Sequence, residues 1–331
     1  MTKKIGVLAT GTWGTALAKI LCTAGYRVTA WSVSEEEIRM LSASRRHPNL
    51  PGMILPEELK LTSDIREAAE GADVIIMAAP SPYVRSTCEK LKGKIRPEQI
   101  IACVAKGLEE ETRLTMSGII RDVLGEEQTV VALSGPTHAE EVALDLPTCI
   151  VSASDNTAAA RTVQELFVGT CIRPYTNDDM KGVEICGALK NIIALACGIS
   201  SGIGYGDNTK AAIMTRGLAE IIRLGRAMGC REQTFSGLAG LGDLIVTATS
   251  RHSRNNRCGR YIGEGMKPRE AIREVGMVLE GINALPAALA FAESYGVEIP
   301  IINAVNEVVN HGLPPKDAVD GLLGRKIKPE A

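Results

Sequence analysis

The sequence predicts an α/β protein in which a doubly wound sheet is followed by an all-α C-terminal domain. Over the first half of the chain, short apolar runs typical of buried strands alternate with helical patterns, as in a parallel sheet with helices on both faces. A glycine-containing turn joins the first strand to the first helix. After Asp178 the strand patterns fade and long helical patterns follow, so we place a boundary near residues 176–180. The predicted domains are 1–178 and 179–331.

The first strand, turn, helix and second strand have the order that a dinucleotide-binding unit requires. They occupy residues 5–9, 9–14, 15–22 and 27–31. Gly11 lets the backbone approach a pyrophosphate at the helix N-terminus, and Gly14 permits close helix–strand packing. Ala9 replaces the first glycine of the G-x-G-x-x-G pattern, and a plain tight turn is the alternative. The surrounding elements favour a Rossmann domain that binds a dinucleotide.

The residues after the second strand leave the choice between NAD and NADP open. Such a strand usually ends in an acid that binds the adenosine ribose of NAD. Here Ser32-Val33-Ser34 follow the strand, and acids begin only at Glu35. Ser32 and Ser34 are able to hydrogen-bond a ribose or its phosphate. Positive charge occurs farther on, at Arg39, Arg45 and Arg46.

Five further strands are predicted, preceded by a short helix over 64–70 that Ser63 caps. The strands cover residues 72–80, 99–104, 129–133, 148–152 and 171–175. Ligands bind beyond the carboxyl ends of strands in such sheets, and Pro80, Lys106 and Gly135 lie at such ends. Lys106 follows an apolar strand and precedes a glycine, which favours an anion-facing lysine over a solvated loop lysine.

The second half contains long helical patterns and one lysine in a very apolar segment. The helices are predicted over 180–197, 208–228, 267–274, 284–295 and 301–310, with 198–206 as a flexible connector. Between residues 183 and 206 only Glu184 and Lys190 are charged, so this helix is buried on most sides. Burial lowers the pKa of a lysine toward the range useful for proton transfer. The alternative is a lysine that reaches the surface or pairs with an acid. Asn191 adds a donor and an acceptor beside it.

Two polar segments follow the apolar helix. Asp243 lies in the glycine-rich run 237–247. A turn aspartate usually caps its own turn, but the apolar neighbours make Asp243 a candidate partner for a buried lysine. In residues 250–257, a helix would place Arg251, Arg254 and Arg257 on one face, which suits a phosphate. A solvated basic helix is the alternative, and the adjacent aspartate loop disfavours it.

Composition and charge exclude several classes of protein. Of 331 residues, 45% are hydrophobic and 23% are charged, and the net charge is −2, so neither nucleic acid nor an acidic membrane is a predicted partner. Nine scattered cysteines without a CxxC pair indicate reduced thiols in a cytoplasmic protein. We expect no signal peptide and no membrane span. The four histidines lack metal-ligand spacing, so no metal is expected.

Seven short segments resemble one known family in sequence, order and spacing. They are Gly11-Thr-Trp-Gly14, Lys106-Gly107, Ser134-Gly-Pro-Thr-His-Ala-Glu-Glu-Val142, Gly187-Ala-Leu-Lys-Asn191, Gly242-Asp-Leu244, Ser253-Arg-Asn255 and Glu280-Gly281. Over nearly its whole length the chain resembles the bacterial-type NAD(P)-dependent glycerol-3-phosphate dehydrogenases. The resemblance implies a Rossmann domain, a helical C-terminal domain, and interconversion of dihydroxyacetone phosphate and sn-glycerol 3-phosphate.

The resemblance also implies a role for individual residues. Lys190 is the expected general acid/base at the substrate C2 oxygen, and Lys106 and Asp243 are expected to line the same reacting end. The implied substrate-binding positions are Lys106, Gly135, Thr137, Lys190, Asn191, Asp243, Ser253, Arg254 and Asn255, with Arg254 and Asn255 near the phosphate. The implied contacts to NADPH or NADH are Gly11, Thr12, Trp13, Gly14, Lys106, Ala139, Arg254, Val278 and Glu280. A homodimer is compatible with the resemblance.

Two alternatives to this function stay open, and the chain departs from the family's pattern both at Ala9, which replaces the first fingerprint glycine, and after the second strand. A related two-domain dehydrogenase for another 2-keto or 2-hydroxy compound is disfavoured by Ser253-Arg-Asn255, and a substrate panel would decide. A non-catalytic dinucleotide-sensing module would not require a buried Lys190 with Asp243. The family often has a basic residue after the second strand and an aromatic residue before Leu-Pro-Gly. This chain has Ser32-Val33 and Asn49 there, so the cofactor preference stays open.

Overall fold

A computed structural model of the chain describes residues 2–327 and 329. Contacts divide the chain into two compact units, 1–184 and 185–331. The first unit contains one eight-stranded sheet. Its strands are β1 (Lys4–Leu8), β2 (Arg27–Trp31), β3 (Lys60–Thr62), β4 (Val74–Met77), β5 (Ile100–Cys103), β6 (Val130–Ser134), β7 (Thr148–Ala153) and β8 (Ile172–Asn177).

The strand order confirms the predicted doubly wound sheet. It is β3-β2-β1-β4-β5-β6-β7-β8, and the first six strands are parallel. The helices of this unit are α1 (Thr12–Thr23), α2 (Glu35–Ser44), α3 (Ile65–Ala69), α4 (Val84–Leu91), α5 (Met116–Leu124), α6 (Ala139–Val142) and α7 (Thr157–Glu165). A fully parallel sheet was expected, but β7 runs antiparallel to β6. Their connection, residues 135–147, contains only the four-residue α6, and so short a helix does not span the length of a strand as the helix of a parallel crossover does.

Both faces of the sheet are buried, and successive residues of one strand enter different cores. In β4, Val74 and Ile76 belong to one core and Ile75 and Met77 to the other. Leu17 of α1 belongs to the first of these cores. A strand covered on both faces is apolar at every position, which explains why the sequence shows continuous apolar runs rather than alternation.

The sequence does not predict β3 or α2, and it misplaces one helix cap. Strand β3 is an edge strand of only three residues that pairs with β2. A strand this short has too few residues to show an apolar pattern in the sequence. The cap of α3 is Asp64 rather than Ser63, because the Asp64 carboxylate accepts a hydrogen bond from the Arg66 N–H over 2.9 Å. The Ser63 carbonyl oxygen instead accepts from the Trp31 indole N–H over 3.0 Å.

Helices follow β8 to the end of the described chain. They are α8 (Met180–Ile203), α9 (Asp207–Ala227), α10 (Glu232–Phe235), α11 (Asp243–Thr249), α12 (Arg254–Gly263), α13 (Pro268–Val275), α14 (Glu280–Asn283), α15 (Leu285–Tyr295), α16 (Pro300–Asn310) and α17 (Pro315–Leu323). All five predicted helices are confirmed. Helix α8 is long and apolar enough to cross a membrane, but its apolar window is entirely buried in the protein, which identifies a core helix.

The prediction of a flexible connector over 198–206 is wrong, because α8 continues to residue 203. The glycines at its end serve helix packing within the second unit. A Cβ on Gly198 would lie 2.1 Å from the Asn256 carbonyl oxygen of α12. A Cβ on Gly259 would lie 2.2 Å from the Leu195 carbonyl oxygen of α8. The backbones of α8 and α12 are therefore in contact, which only residues without a Cβ allow.

Candidate active site

The turn between β1 and α1 presents backbone rather than side chains. Gly11 precedes α1, which has no side-chain cap among the described residues and no acid in its first turn. A Cβ on Gly11 would have no atom within 4 Å, whereas one on Gly14 would lie 2.1 Å from the Ala9 carbonyl oxygen. Thr12 and Trp13 begin the helix and are partly buried. An open, uncapped helix start fits an anionic group such as a pyrophosphate.

Ala9 adopts the left-handed backbone conformation that glycine takes readily, with φ of 84°. Its N–H donates to the Trp31 carbonyl oxygen over 2.9 Å, so the residue after β1 is fixed to the end of β2. This conformation costs a residue with a Cβ roughly 1–2 kcal/mol. The alanine therefore retains a glycine-like turn but destabilises it.

Lys106, Gly135 and Thr137 come together beyond the ends of β5 and β6. Lys106 Nζ donates to the Gly135 carbonyl oxygen over 2.8 Å and to Thr137 Oγ1 over 3.2 Å. Gly135 has φ of 139°, a conformation that requires glycine. The Ser134 hydroxyl is buried without a hydrogen-bond partner in the described part of the chain. Ala139 follows as the first residue of α6. Oxygen acceptors thus fix the Lys106 ammonium in position.

Arg85 ties the segment after Lys106 to the helices of the first unit. Its Nε and Nη2 donate to the two Glu109 carboxylate oxygens over 2.7 and 2.8 Å. Its Nη1 donates to Asp122 Oδ2 over 2.5 Å. The Arg85 hydrogen bond is the main reason why the pKa of Glu109 is lowered. A two-pronged pair of this kind fixes geometry, although nothing in the sequence pattern points to Arg85.

Lys190 is buried in the second unit beside two residues of α11. Its Nζ lies 2.6 Å from Thr247 Oγ1 and 3.1 Å from Asp243 Oδ1. Lys190, Asp243 and Thr247 are 5%, 1% and 6% exposed. Thr247 also donates to the Asp243 carbonyl oxygen over 2.6 Å. We call these three residues the Lys190 cluster.

The local structure around Asp243 differs from the predicted glycine loop. Residues Leu238–Gly242 form a π-helical turn, and Asp243 is the first residue of α11. Gly240 serves close packing there, since its Cβ would lie 2.0 Å from the Phe235 carbonyl oxygen. Asp243 and Thr247 share a helix face because they are four residues apart. Thr247 is not among the predicted site residues, and its spacing of four residues from Asp243 is the sequence signal that could have indicated it.

Asn191 and Asn255 connect three helices of the second unit. Asn255 Nδ2 donates to Asn191 Oδ1 over 3.1 Å, and Asn255 Oδ1 accepts from the Gly281 N–H over 3.0 Å. A Cβ on Gly281 would lie 2.6 Å from the Asn191 carbonyl oxygen. Glu280 is the first residue of α14, and both it and Val278 are partly buried. The two amides therefore position the segment that carries Glu280.

Arg254 is the first residue of α12 and is partly buried. The Ser253 hydroxyl caps this helix by accepting from the Asn256 N–H over 3.2 Å. The predicted three-arginine helix face is wrong, because Arg251 lies before the helix in an exposed turn. Of the three predicted arginines only Arg254 and Arg257 are helical, and Arg257 is exposed. The Ser253 cap explains why the helix begins at residue 254.

The predicted site residues thus form separate groups within each unit. The first unit holds the β1–α1 turn and the group around Lys106, and the second holds the Lys190 cluster and the group around Asn255. Within residues 2–327 and 329, no three His, Cys, Asp or Glu side chains are grouped so as to hold a metal ion.

Two protein-family models match most of the chain. Residues 4–160 match the model described as NAD-dependent glycerol-3-phosphate dehydrogenase N-terminus. Residues 179–320 match the model described as the C-terminus of the same family.

Individual relatives match over nearly their full lengths. Glycerol-3-phosphate dehydrogenase (NAD(P)+) 2 of Lactobacillus delbrueckii subsp. bulgaricus is 54% identical, over 99% of this chain and 98% of that protein. The crystal structure of glycerol-3-phosphate dehydrogenase from Coxiella burnetii is 37% identical with a TM-score of 0.92, covering 98% and 99% of the two chains. A ketopantoate reductase from Ralstonia eutropha is 16% identical with a TM-score of 0.62, covering 96% and 100%, and this likeness concerns the fold alone.

Proposed function

The chain belongs to the NAD-dependent glycerol-3-phosphate dehydrogenase family, and from that premise we propose which residues carry out the reaction. It catalyses the NAD(P)-dependent interconversion of dihydroxyacetone phosphate and sn-glycerol 3-phosphate, which supplies the glycerophospholipid backbone. The assignment of roles rests mainly on one observation, the buried ammonium of Lys190 held by Asp243 and Thr247.

We propose the β1–α1 turn as the cofactor-binding element of the first domain. Gly11 would admit the pyrophosphate beside the backbone of α1, and Gly14 would keep the helix close to the turn. When bound, the nicotinamide supplies or accepts a hydride. The remaining proposed cofactor contacts are Thr12, Trp13, Lys106, Ala139, Arg254, Val278 and Glu280.

We propose Lys190 as the general acid/base. When C2 of the substrate is reduced, its carbonyl oxygen gains negative charge. The Lys190 ammonium stabilises this charge through a hydrogen bond and then donates its proton, which leaves a hydroxyl group at C2. In the oxidising direction the neutral amine accepts the hydroxyl proton. Asp243 and Thr247 hold Nζ in place, and the Asp243 carboxylate favours the charged ammonium that reduction requires.

The substrate phosphate has a separate proposed anchor in Arg254. Its position at the start of the ten-residue α12 combines a guanidinium with helix N–H groups, which together suit a phosphate. Lys106, Gly135, Thr137 and Ser253 remain proposed substrate contacts. Asn191 and Asn255 share their hydrogen bonds with each other and with Gly281, so we propose that they position the site as well as contact the substrate.

The decisive experiment measures oxidation of NADH and NADPH in the presence of dihydroxyacetone phosphate, with unphosphorylated dihydroxyacetone as the matched control. We expect turnover with the phosphorylated substrate and little with the control. Turnover on a different 2-keto compound would favour the related dehydrogenase. Tight cofactor binding without any turnover would favour the sensing module.

We also propose that the protein is cytoplasmic and forms a homodimer. None of the nine cysteines forms a disulfide in the part of the chain that the structure describes, and most are buried, which accords with a reducing compartment. Sedimentation of the purified chain would test the homodimer.

A further inference from the structure

The carboxylate of Glu37 is held at the carboxyl end of β2, although Glu37 lies in helix α2. The Ser32 hydroxyl donates to Glu37 Oε2 over 2.5 Å, and Ser32 is 4% exposed. The Ser34 N–H donates to the same hydroxyl over 3.2 Å. The Glu37 N–H donates to Ser34 Oγ over 3.1 Å. The first turn of α2 is therefore folded back so that its carboxylate reaches the first residue after the strand.

This position is adjacent to the β1–α1 turn. Strands β1 and β2 are parallel neighbours, with Leu8 opposite Trp31, so Ala9 and Ser32 leave the sheet at the same edge. Burial lowers the pKa of His47, and the Glu37 carboxylate and the Thr10 backbone oppose this shift, so both segments lie close to this imidazole. In a doubly wound dinucleotide-binding unit, the end of the second strand faces the adenosine ribose.

The Glu37 carboxylate keeps an acceptor available for such a ribose. Oε2 accepts from Ser32, while Oε1 accepts no hydrogen bond from any residue that the structure describes. A carboxylate oxygen can accept from the 2′-hydroxyl of a ribose. A 2′-phosphate at the same position would bring a second group of negative charge against Glu37, which is unfavourable.

The nearby basic residues do not reverse this preference. The Arg45 side chain binds the 56–59 segment, where it donates to the Leu59 carbonyl oxygen over 3.0 Å and pairs with Glu57 over 3.8 Å. Arg39 Nε donates to the Glu35 carbonyl oxygen over 3.4 Å. Arg46 is exposed to solvent, where a charge is strongly screened. The net lowering of the His47 pKa by burial, despite the opposing effect of Glu37, favours the neutral imidazole over a cation that would attract a 2′-phosphate.

We propose that Glu37 determines the cofactor specificity: its carboxylate binds the 2′-hydroxyl of the adenosine ribose, and the chain prefers NADH to NADPH. The inference rests on the cofactor site proposed above. Ser32 acts as a positioning residue that directs the Glu37 carboxylate. The sequence has no acid directly after β2, and Glu37 from the first turn of α2 takes the place of that acid.

Two measurements on the full-length chain test the proposal. Calorimetry compares binding of 5′-AMP with that of adenosine 2′,5′-bisphosphate, and steady-state kinetics compares kcat/KM for NADH and NADPH. We expect the parent to favour 5′-AMP and NADH by about tenfold or more, and Glu37→Gln to reduce both ratios by roughly ten- to hundredfold. Glu36→Gln is the matched control, because Glu36 is an exposed acid in the same helical turn, and it should leave both ratios unchanged.

A parent protein that prefers NADPH and the bisphosphate would overturn the proposal. Equal changes of the binding and kinetic ratios in Glu37→Gln and Glu36→Gln would also overturn it. If Glu37→Gln does not fold, Ser32→Ala provides the test. This variant keeps the Glu37 carboxylate but removes the hydrogen bond that positions it. The preference for 5′-AMP and the preference for NADH should therefore both fall, by a smaller factor than in Glu37→Gln. A lower melting temperature with unchanged ratios would mean that the Ser32–Glu37 bond is only structural, and would overturn the proposal. A clear 5′-AMP preference without turnover of dihydroxyacetone phosphate would leave this inference standing and contradict the proposed function instead.

Discussion

The β1–α1 turn and the Lys190 cluster are built from different parts of the chain. The turn consists of backbone, with Gly11 open, Gly14 closely packed and Ala9 left-handed. The Lys190 cluster consists of buried side chains from two helices, α8 and α11, joined by an ion pair and a hydrogen bond. In the turn, the backbone is accessible because side chains are missing. In the Lys190 cluster, the contacts are made by particular side-chain atoms.

This difference decides how each region responds to substitution. In the turn, the important property is the space beside the backbone, so added atoms are harmful and the chemistry of the side chain matters little. In the cluster, the proposed roles belong to an ammonium, a carboxylate and a hydroxyl, so we expect removal of atoms to be harmful. Substitutions that add or remove atoms should therefore separate the two regions.

The largest effect should come from Lys190→Met, which removes the ammonium but retains much of the side-chain volume. Loss of a positioned proton donor lowers turnover by roughly 10²–10⁴-fold, and loss of its charge adds to this. Cofactor affinity should change little. The measurements are kcat with dihydroxyacetone phosphate and the dissociation constant for NADH.

The variant also removes the buried Lys190–Asp243 ion pair, and breaking such a pair by removing one member costs about 3–5 kcal/mol. Lys190→Met combined with Asp243→Asn should restore much of the thermal stability but none of the turnover. Turnover of Lys190→Met within a few-fold of the parent would contradict the proposed role.

The next effect concerns Arg254, the proposed phosphate anchor. Arg254→Ala should raise KM for dihydroxyacetone phosphate and lower kcat, because phosphate binding energy positions C2. Loss of a hydrogen bond to a charged group costs about 1.5–3 kcal/mol. Kinetics with phosphorylated and unphosphorylated dihydroxyacetone measures this loss for each substrate.

Arg251→Ala is the matched control, since Arg251 is an exposed arginine three residues earlier. It should have a smaller effect on both substrates. If Arg254→Ala reduces kcat/KM for the two substrates by the same factor, Arg254 does not bind the phosphate.

In the turn, Gly14→Ala and Gly11→Ala add the same methyl group in two environments. The added atom at residue 14 meets the Ala9 carbonyl oxygen at 2.1 Å, whereas at residue 11 it meets no atom within 4 Å. Overpacking usually destabilises by about 1–3 kcal/mol, so Gly14→Ala should unfold at a lower temperature. Gly11→Ala should keep its stability and lose cofactor affinity. Calorimetry of unfolding and NADH titration measure the two properties, and equal melting temperatures for the two variants would contradict the packing argument.

The same contrast explains what could be predicted from the sequence. The turn is local, so six consecutive residues and their flanking strands predict it, and β2 has the predicted bounds 27–31. Lys190 stands out because almost no other charge occurs in α8. Its contact with Thr247 depends on how α8 and α11 pack, which no local pattern contains. The glycine-rich runs 198–206 and 237–247 predict loops, but several of their glycines permit close backbone packing of helical segments.

The smallest effect should be a gain in stability from Ala9→Gly. The substitution relieves roughly 1–2 kcal/mol of left-handed strain but adds about 0.4–1 kcal/mol of chain entropy to the unfolded state, so a net gain of about 0.5–1 kcal/mol is expected. Ala24→Gly is the matched control, because Ala24 is an exposed alanine with φ of −72° that bears no such strain. It should lower the melting temperature, while Ala9→Gly should raise it by a few degrees with NADH affinity unchanged. A loss of stability in both variants would show that Ala9 is not strained, and the turn would then tolerate a Cβ at its first position as well as glycine.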